Sequence, residues 1–290
     1  MSEVYANSYL TIAAVSSLRG EFGFLGPRVA HLSKTLRFKS SHDDSHVQVR
    51  RKISHVDSEA SAANPLYSRA WAFQEMVVSP RVVSYSSEEL QWHCRQVSLC
   101  ECDQWHNFST SLDLSIVKSR RDTLASEYKT APIQQEENLS RWYRVLCGYT
   151  HLKLTVPSDR LPALSALAQH FQNHLQDVYV AGLWKSDIRY GLRWRTGWDQ
   201  DGIGHLPDKY RAPTWSWASI DGKIFYGDYP AEQVTRPVYR RSARPDQEIC
   251  EIVDVQCDLA GANPFGEVVG GFLKVFGLLA SAEIQSFKDY

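Results

Sequence analysis

The chain has no apolar run near the roughly 20 residues that a spanning helix needs, and no basic-then-apolar opening of the secretory type. A soluble, cytoplasmic protein without a membrane span is the expectation. Neither sign of charge dominates: 32 Lys and Arg stand against 33 Asp and Glu, a net charge of -1. Nothing here builds a global field for nucleic acid or an anionic membrane, so neither is expected as a partner. Six cysteines among 290 residues are too sparse for a disulfide scaffold and are expected to be reduced thiols. Cys94, Cys100 and Cys102, with His93 and His106, include one Cys-x-Cys but neither paired Cys-x-x-Cys knuckles nor a His-x-x-x-His arm, and no metal is expected there.

Other signatures are missing too. No Gly-x-Ser-x-Gly elbow or Cys-centred nucleophile motif occurs, so a hydrolase triad would rest on composition alone. Gly20, Gly23 and Gly26 are spaced three apart but lack the Gly-Lys-Ser/Thr or Gly-x-Gly-x-x-Gly of a phosphate loop, and are read as turn residues. The His42-Asp43-Asp44-Ser45-His46 cluster is read as a solvated hairpin or loop. No internal repeat offers a recognition array.

What the chain does have is the segment 65–81, which places Arg69, Trp71, Gln74 and Glu75 on one short helix bounded by Ser68, a plausible N-cap, and by Ser79-Pro80 as its stop. The four-residue step from Trp71 to Glu75 puts an indole and a carboxylate on one face. Residues 4–16 read as a short helix running into a strand. Residues 81–86 and 89–94 read as two strands of a hairpin, with Cys94 on the buried face in phase with Leu90 and Trp92. The polar stretch 103–133 reads as a surface linker, which divides the chain into 1–130 and 131–290.

Beyond the linker, a helix over 136–149 buries Leu139, Trp142, Tyr143, Leu146 and Cys147. A second helix over 158–174 is expected to be capped by Ser158 or Asp159, with Leu164, Leu167, Ala168 and Phe171 inward. An aromatic-rich stretch follows, with Trp184, Tyr190, Trp194, Trp198, Trp215 and Trp217. The run 214–218 alternates like a strand, and its tryptophans are expected to pack in a core or interface rather than form a stacking platform. Runs at 249–256 and 270–279 read as strands. The fold class expected is α/β in the first part and mixed α+β, rich in antiparallel strands, in the second.

The segment Ser68, Arg69, Trp71, Gln74, Glu75, Ser79, Pro80 and Arg81 resembles a characteristic block of the fungal heterokaryon-incompatibility (HET) domain, Ser-Arg-x-Trp-x-x-Gln-Glu followed by Ser-Pro-Arg. Residues 4–14 and 23–28 resemble the stretch before that block. Residues 158–165, 181–184, 211–219 and 263–267 resemble stretches in the C-terminal region of such proteins. Two blocks that normally open the domain, roughly Leu-Ser-Tyr-x-Trp-Gly and Trp-Ile-Asp-x-x-Cys-Ile-x-Gln, do not occur, so the expectation is an incomplete HET region. HET domains in turn resemble Toll/interleukin-receptor (TIR) domains, and the resemblance implies a TIR-like α/β region.

Some TIR domains cleave NAD with a glutamate in a Trp-x-x-x-Glu helix. The resemblance therefore implies NAD as a candidate substrate, Glu75 as the candidate catalytic acid, and Trp71, Arg69 and Gln74 as candidate ligand contacts. A carboxylate beside a nicotinamide-ribose bond would stabilise the oxocarbenium-like centre that forms when it breaks. The family also implies a role in non-self recognition and programmed cell death. Since the chain carries no recognition repeats, the alternative is a non-catalytic interaction protein with a partner in trans or self-association. A further alternative is a HET-like protein recruited to fungal secondary metabolism, with a ligand cavity lined by Trp184, Trp194, Trp215 or Trp217.

Overall fold

The computed structural model describes residues 2–26, 34–39, 44–49, 64–101, 131–197, 204–226 and 250–277. Cys102, His106, Trp198, His42, Asp43 and most of the expected linker at 103–133 lie outside them. In chain order, α1 (Ser2–Ala6) leads to β1 (Thr11–Ala13), as the helix-then-strand reading expects. The hairpin β2 (Lys34–Lys39) and β3 (Asp44–Val49) follows, then α2 (Ala70–Val78). The strands β4 (Arg81–Tyr85), β5 (Leu90–Cys94) and β6 (Ser98–Cys100) join β1 in a mixed sheet of order β1-β4-β5-β6. Within it β1 and β4 are parallel, with Ile12 opposite Val83, and α2 lies in the connection between them.

The β4–β5 hairpin is the one the sequence predicts, but its buried face is inverted. His93 is buried opposite Val82, while Leu90, Trp92 and Cys94 are half-buried on the other face. The Ser98 hydroxyl lies 3.2 Å from His93 Nδ1, so the imidazole enters the core with a polar partner.

The second part opens with α3 (Ala131–Tyr149), which starts five residues before the expected 136 and buries Leu139, Trp142, Tyr143 and Leu146. The helix expected from 158 begins instead at Ser165, as α4 (Ser165–Leu175). Pro157 and Pro162 explain the difference, because each lacks the N–H that a continuous helix would use. They open two short 3-10 turns, Pro157–Arg160 and Pro162–Leu164. Leu164, Leu167, Ala168 and Phe171 do face inward.

A small antiparallel pair, β7 (Tyr179–Val180) and β8 (Leu183–Trp184), is followed by α5 (Ile188–Gly191), and β9 (Arg195–Thr196) pairs with β10 (Ile224–Phe225). The expected tail strands are β11 (Cys250–Leu259) and β12 (Val268–Gly277), an antiparallel hairpin with a register shift between Ile252 and Asp254. The strand expected over 214–218 does not form. Ser216 folds it into a turn: its N–H bonds to the Pro213 carbonyl at 2.9 Å and its hydroxyl accepts the Ala218 N–H at 3.1 Å, capping a 3-10 turn over Trp217–Ser219. Such local bonds compete directly with an extended ladder.

Trp142, Trp184 and Trp217 are fully buried, and Trp142 meets Trp184 edge to face with ring centroids 5.4 Å apart. The indoles of Trp142 and Trp217 both donate to the Gly182 carbonyl at 3.1 Å. Gly182 has φ of 93°, and a Cβ there would collide with the Trp217 indole, so glycine is required by both backbone and space. One hydrophobic core joins Phe73, Met76 and Val77 of α2 to Leu146, Leu164, Trp184 and Trp217 of the second part.

Candidate functional site

The sequence AWAFQEMVV of α2 is rich in good helix formers, and it stops where Ser79, constrained by Pro80, turns extended at φ −66° and ψ 131°. The Ser79 hydroxyl donates to the Glu75 carbonyl at 2.7 Å and lies 2.8 Å from Thr11 Oγ1, which ties the helix end to β1. The other end is not capped as predicted. Ser68 sits in a 3-10 turn, Pro65–Ser68, with its hydroxyl on the Pro65 carbonyl at 2.8 Å. Arg69 takes the extended cap position with no side-chain cap bond, and the open Ala70 N–H is met by the Lys153 carbonyl at 3.0 Å. Lys153 N–H in turn donates to Ser68 O at 2.7 Å, so a distant segment does the capping.

Six of the nine α2 residues are buried, leaving Trp71, Glu75 and Val78 half-buried on one face, in the register the four-residue step predicts. Trp71 Nε1 donates to Asp159 Oδ2 at 3.0 Å. Gln74 is buried, and its side-chain carbonyl accepts the Ala166 N–H at 2.7 Å. That bond serves the first turn of α4, whose N-cap position is Leu164 and offers no side-chain oxygen. Arg69 is exposed.

Glu75 has a neighbour of its own. The Tyr5 phenol on α1 lies near its carboxylate, and partial burial together with the Glu75 charge raises the Tyr5 hydroxyl above its ordinary value. The helix α1 packs along α2. Arg81, just after α2, donates to the Tyr9 carbonyl at 3.2 Å and stacks on the Tyr9 ring at 5.0 Å, holding the turn that follows α1.

The four predicted residues thus share one helix but not one surface: Trp71 and Glu75 stand together, Gln74 points into the core, and Arg69 lies at the exposed start. Sequence reasoning missed Tyr5 and Asp159. Tyr5 carries no signal beyond its place in an aromatic-polar opening segment. Asp159 did stand out, but as a helix cap, because its 88-residue separation from Trp71 leaves no spacing to read.

Elsewhere, among the described residues no group of three or more His, Cys, Asp or Glu could hold a metal. No described helix is long and apolar enough to cross a membrane. Burial pushes the Cys147 thiol up to about 11 and the Cys257 thiol, helped by Asp258, to about 12. At Cys94 burial acts upward, but hydrogen bonds from Gln96, Val97 and Trp92 and the Arg81 charge outweigh it, and the thiol falls below its usual value. Trp194 Nε1 donates to the Trp215 carbonyl at 3.0 Å, and both rings pack against the core that encloses Trp184 and Trp217.

Residues 1–75 match the family model described as Heterokaryon incompatibility protein (HET), a match whose span ends at Glu75. No curated protein and no solved structure matches the chain.

Proposed function

We propose that this HET-type chain is a cytoplasmic protein of a filamentous fungus that takes part in non-self recognition and programmed cell death, and that it acts through contacts made in trans. The observation that carries the contact reading is the use of Gln74. Its carbonyl is spent on the Ala166 N–H at 2.7 Å inside the core, and Trp71 is likewise engaged by Asp159. Side chains that fasten two segments of the chain grip a ligand only by releasing them, which leaves a buried N–H unsatisfied. Expression in a filamentous fungal host tests this reading: cell death should persist in Glu75→Ala. Loss of cell death in a folded, equally abundant Glu75→Ala protein would transfer the mechanism to an active site.

A second reading has a specific observation in its favour. Glu75 is half-buried beside Trp71, on a helix in the connection of the parallel β1–β4 pair, an arrangement that supports a TIR-like region. On this reading Glu75 stabilises the ribose centre of NAD as nicotinamide leaves, Trp71 supports the pocket and exposed Arg69 contacts phosphate. The Tyr5 phenol, which lies near the Glu75 carboxylate, would have to make room for substrate there.

A further inference from the structure

The helix α4 carries two histidines four residues apart, His170 and His174. Its apolar stripe, Leu167, Ala168, Phe171 and Leu175, is buried in the core, so both imidazoles stand on the outer face and are exposed. Residues at this spacing are neighbours on a helix surface, and the two ring centroids lie 4.7 Å apart.

An imidazole binds a metal through a lone pair in the plane of its ring, so two parallel stacked rings cannot share one ion. Here the rings are tilted by 49°, and their planes cross. A metal about 2.1 Å from a ring nitrogen lies about 3.2 Å from that ring's centroid, and centroids 4.7 Å apart then subtend about 95° at the metal. That is close to the right angle between neighbouring ligands of a tetragonal or octahedral ion, and narrower than a tetrahedral angle.

The donor atom is also defined. His174 Nδ1 lies 2.9 Å from the His170 carbonyl, which can only accept, so Nδ1 carries the proton and the lone pair sits on Nε2. A bond of this kind, from the far nitrogen to a main-chain carbonyl, is what fixes the tautomer and orientation of metal-binding histidines. His174 stands in the last turn of α4, where the carbonyl ends of the helix favour a cation. Burial, the His174 ring and the Arg95 charge all disfavour a proton on His170, and Arg95 opposes a metal ion as well. An ion held by charge alone is therefore disfavoured, and one that bonds imidazole strongly is selected. Among the described residues no third His, Cys, Asp or Glu joins the pair, so water fills the remaining positions.

We propose that His170 and His174 chelate a single divalent transition-metal ion on the outer face of α4, copper(II) or nickel(II) ahead of zinc. The chelate spans one helical turn and fastens the C-terminal end of α4. The site does not involve Glu75.

The purified full chain, free of any histidine tag, is titrated by calorimetry with nickel, copper, zinc and magnesium chlorides. Saturable binding of copper and nickel is expected, with weaker binding of zinc and none of magnesium. His170→Gln and His174→Gln should each weaken nickel binding about tenfold or more, because each leaves one ligand of the chelate. Arg95→Gln should tighten it by removing a like charge. Both histidines are exposed, so without metal each variant should melt with the wild type, and nickel should raise the Tm of the wild type alone. Nickel binding unchanged in either histidine variant, or zinc bound more tightly than nickel, overturns the proposal.

Discussion

Gln74 accepts the main-chain N–H of Ala166 at 2.7 Å, so a side chain on α2 completes the first turn of a helix that lies 92 positions further along the chain. The neighbouring bond from Trp71 to Asp159 fastens the same two segments. Together they fasten α2, which the sequence marks as a ligand wall, to the segment 159–166.

Removing the cap exposes the cost of that joint. Gln74→Ala leaves a buried N–H without an acceptor and should destabilise the protein by about 1–3 kcal/mol. Gln74→Glu keeps an acceptor at a helix N-terminus and should lose less. Urea denaturation reads both. Equal stability of Gln74→Ala and wild type would mean that the Ala166 bond is not structural.

The Trp71–Asp159 bond is measured by a double-mutant cycle. Trp71→Phe keeps an aromatic ring but loses the donor, at a cost of about 1 kcal/mol, and Asp159→Ala removes the acceptor. A coupling of about 0.5 kcal/mol or more is expected from residues in contact. Strict additivity would show that the indole–carboxylate bond contributes nothing to the joint.

Gly182 is the position where the aromatic core tolerates least. A Cβ there collides with Trp217, and φ of 93° strains any L side chain, so Gly182→Ala should destabilise by about 2–3 kcal/mol or more. The near-ultraviolet circular dichroism of the tryptophans should weaken alongside. An unchanged spectrum and stability would contradict this packing.

The thiols should separate by reactivity. The thiolate is the attacking form, so a depressed pKa speeds alkylation and a raised one slows it. At pH 8, Cys94 should be modified by iodoacetamide well before Cys147, at about 11, and Cys257, at about 12, which should react only as pH rises towards those values or the protein unfolds. Peptide mass mapping follows each site. Cys147 reacting as fast as Cys94 would show that burial does not protect it.

Periodicity made the local elements legible. The α2 stop at Ser79-Pro80, the β4–β5 hairpin and the tail hairpin all follow from side-chain patterning and turn residues. Misreadings came where a distant segment supplied a partner that local spacing could not reveal. Ser68 and Asp159 were natural caps by position, but Lys153 and Gln74 fill those roles. His93 faces inward because Ser98, on the next strand, satisfies it. The alternation Trp215-Ser216-Trp217 suggested a strand, and one serine hydroxyl bonding its own backbone made it a turn. Trp71 and Glu75 were legible as a pair, whereas Asp159, the partner of Trp71, and Tyr5, which lies near Glu75, were fixed only by tertiary packing.

Release of nicotinamide from NAD by the purified chain tests most directly whether it acts through contacts. A protein that does so should give no release above a protein-free blank, at the same level for wild type and Glu75→Ala. Release by the wild type that disappears in a folded Glu75→Ala protein would contradict the contact mechanism and make Glu75 a catalytic residue.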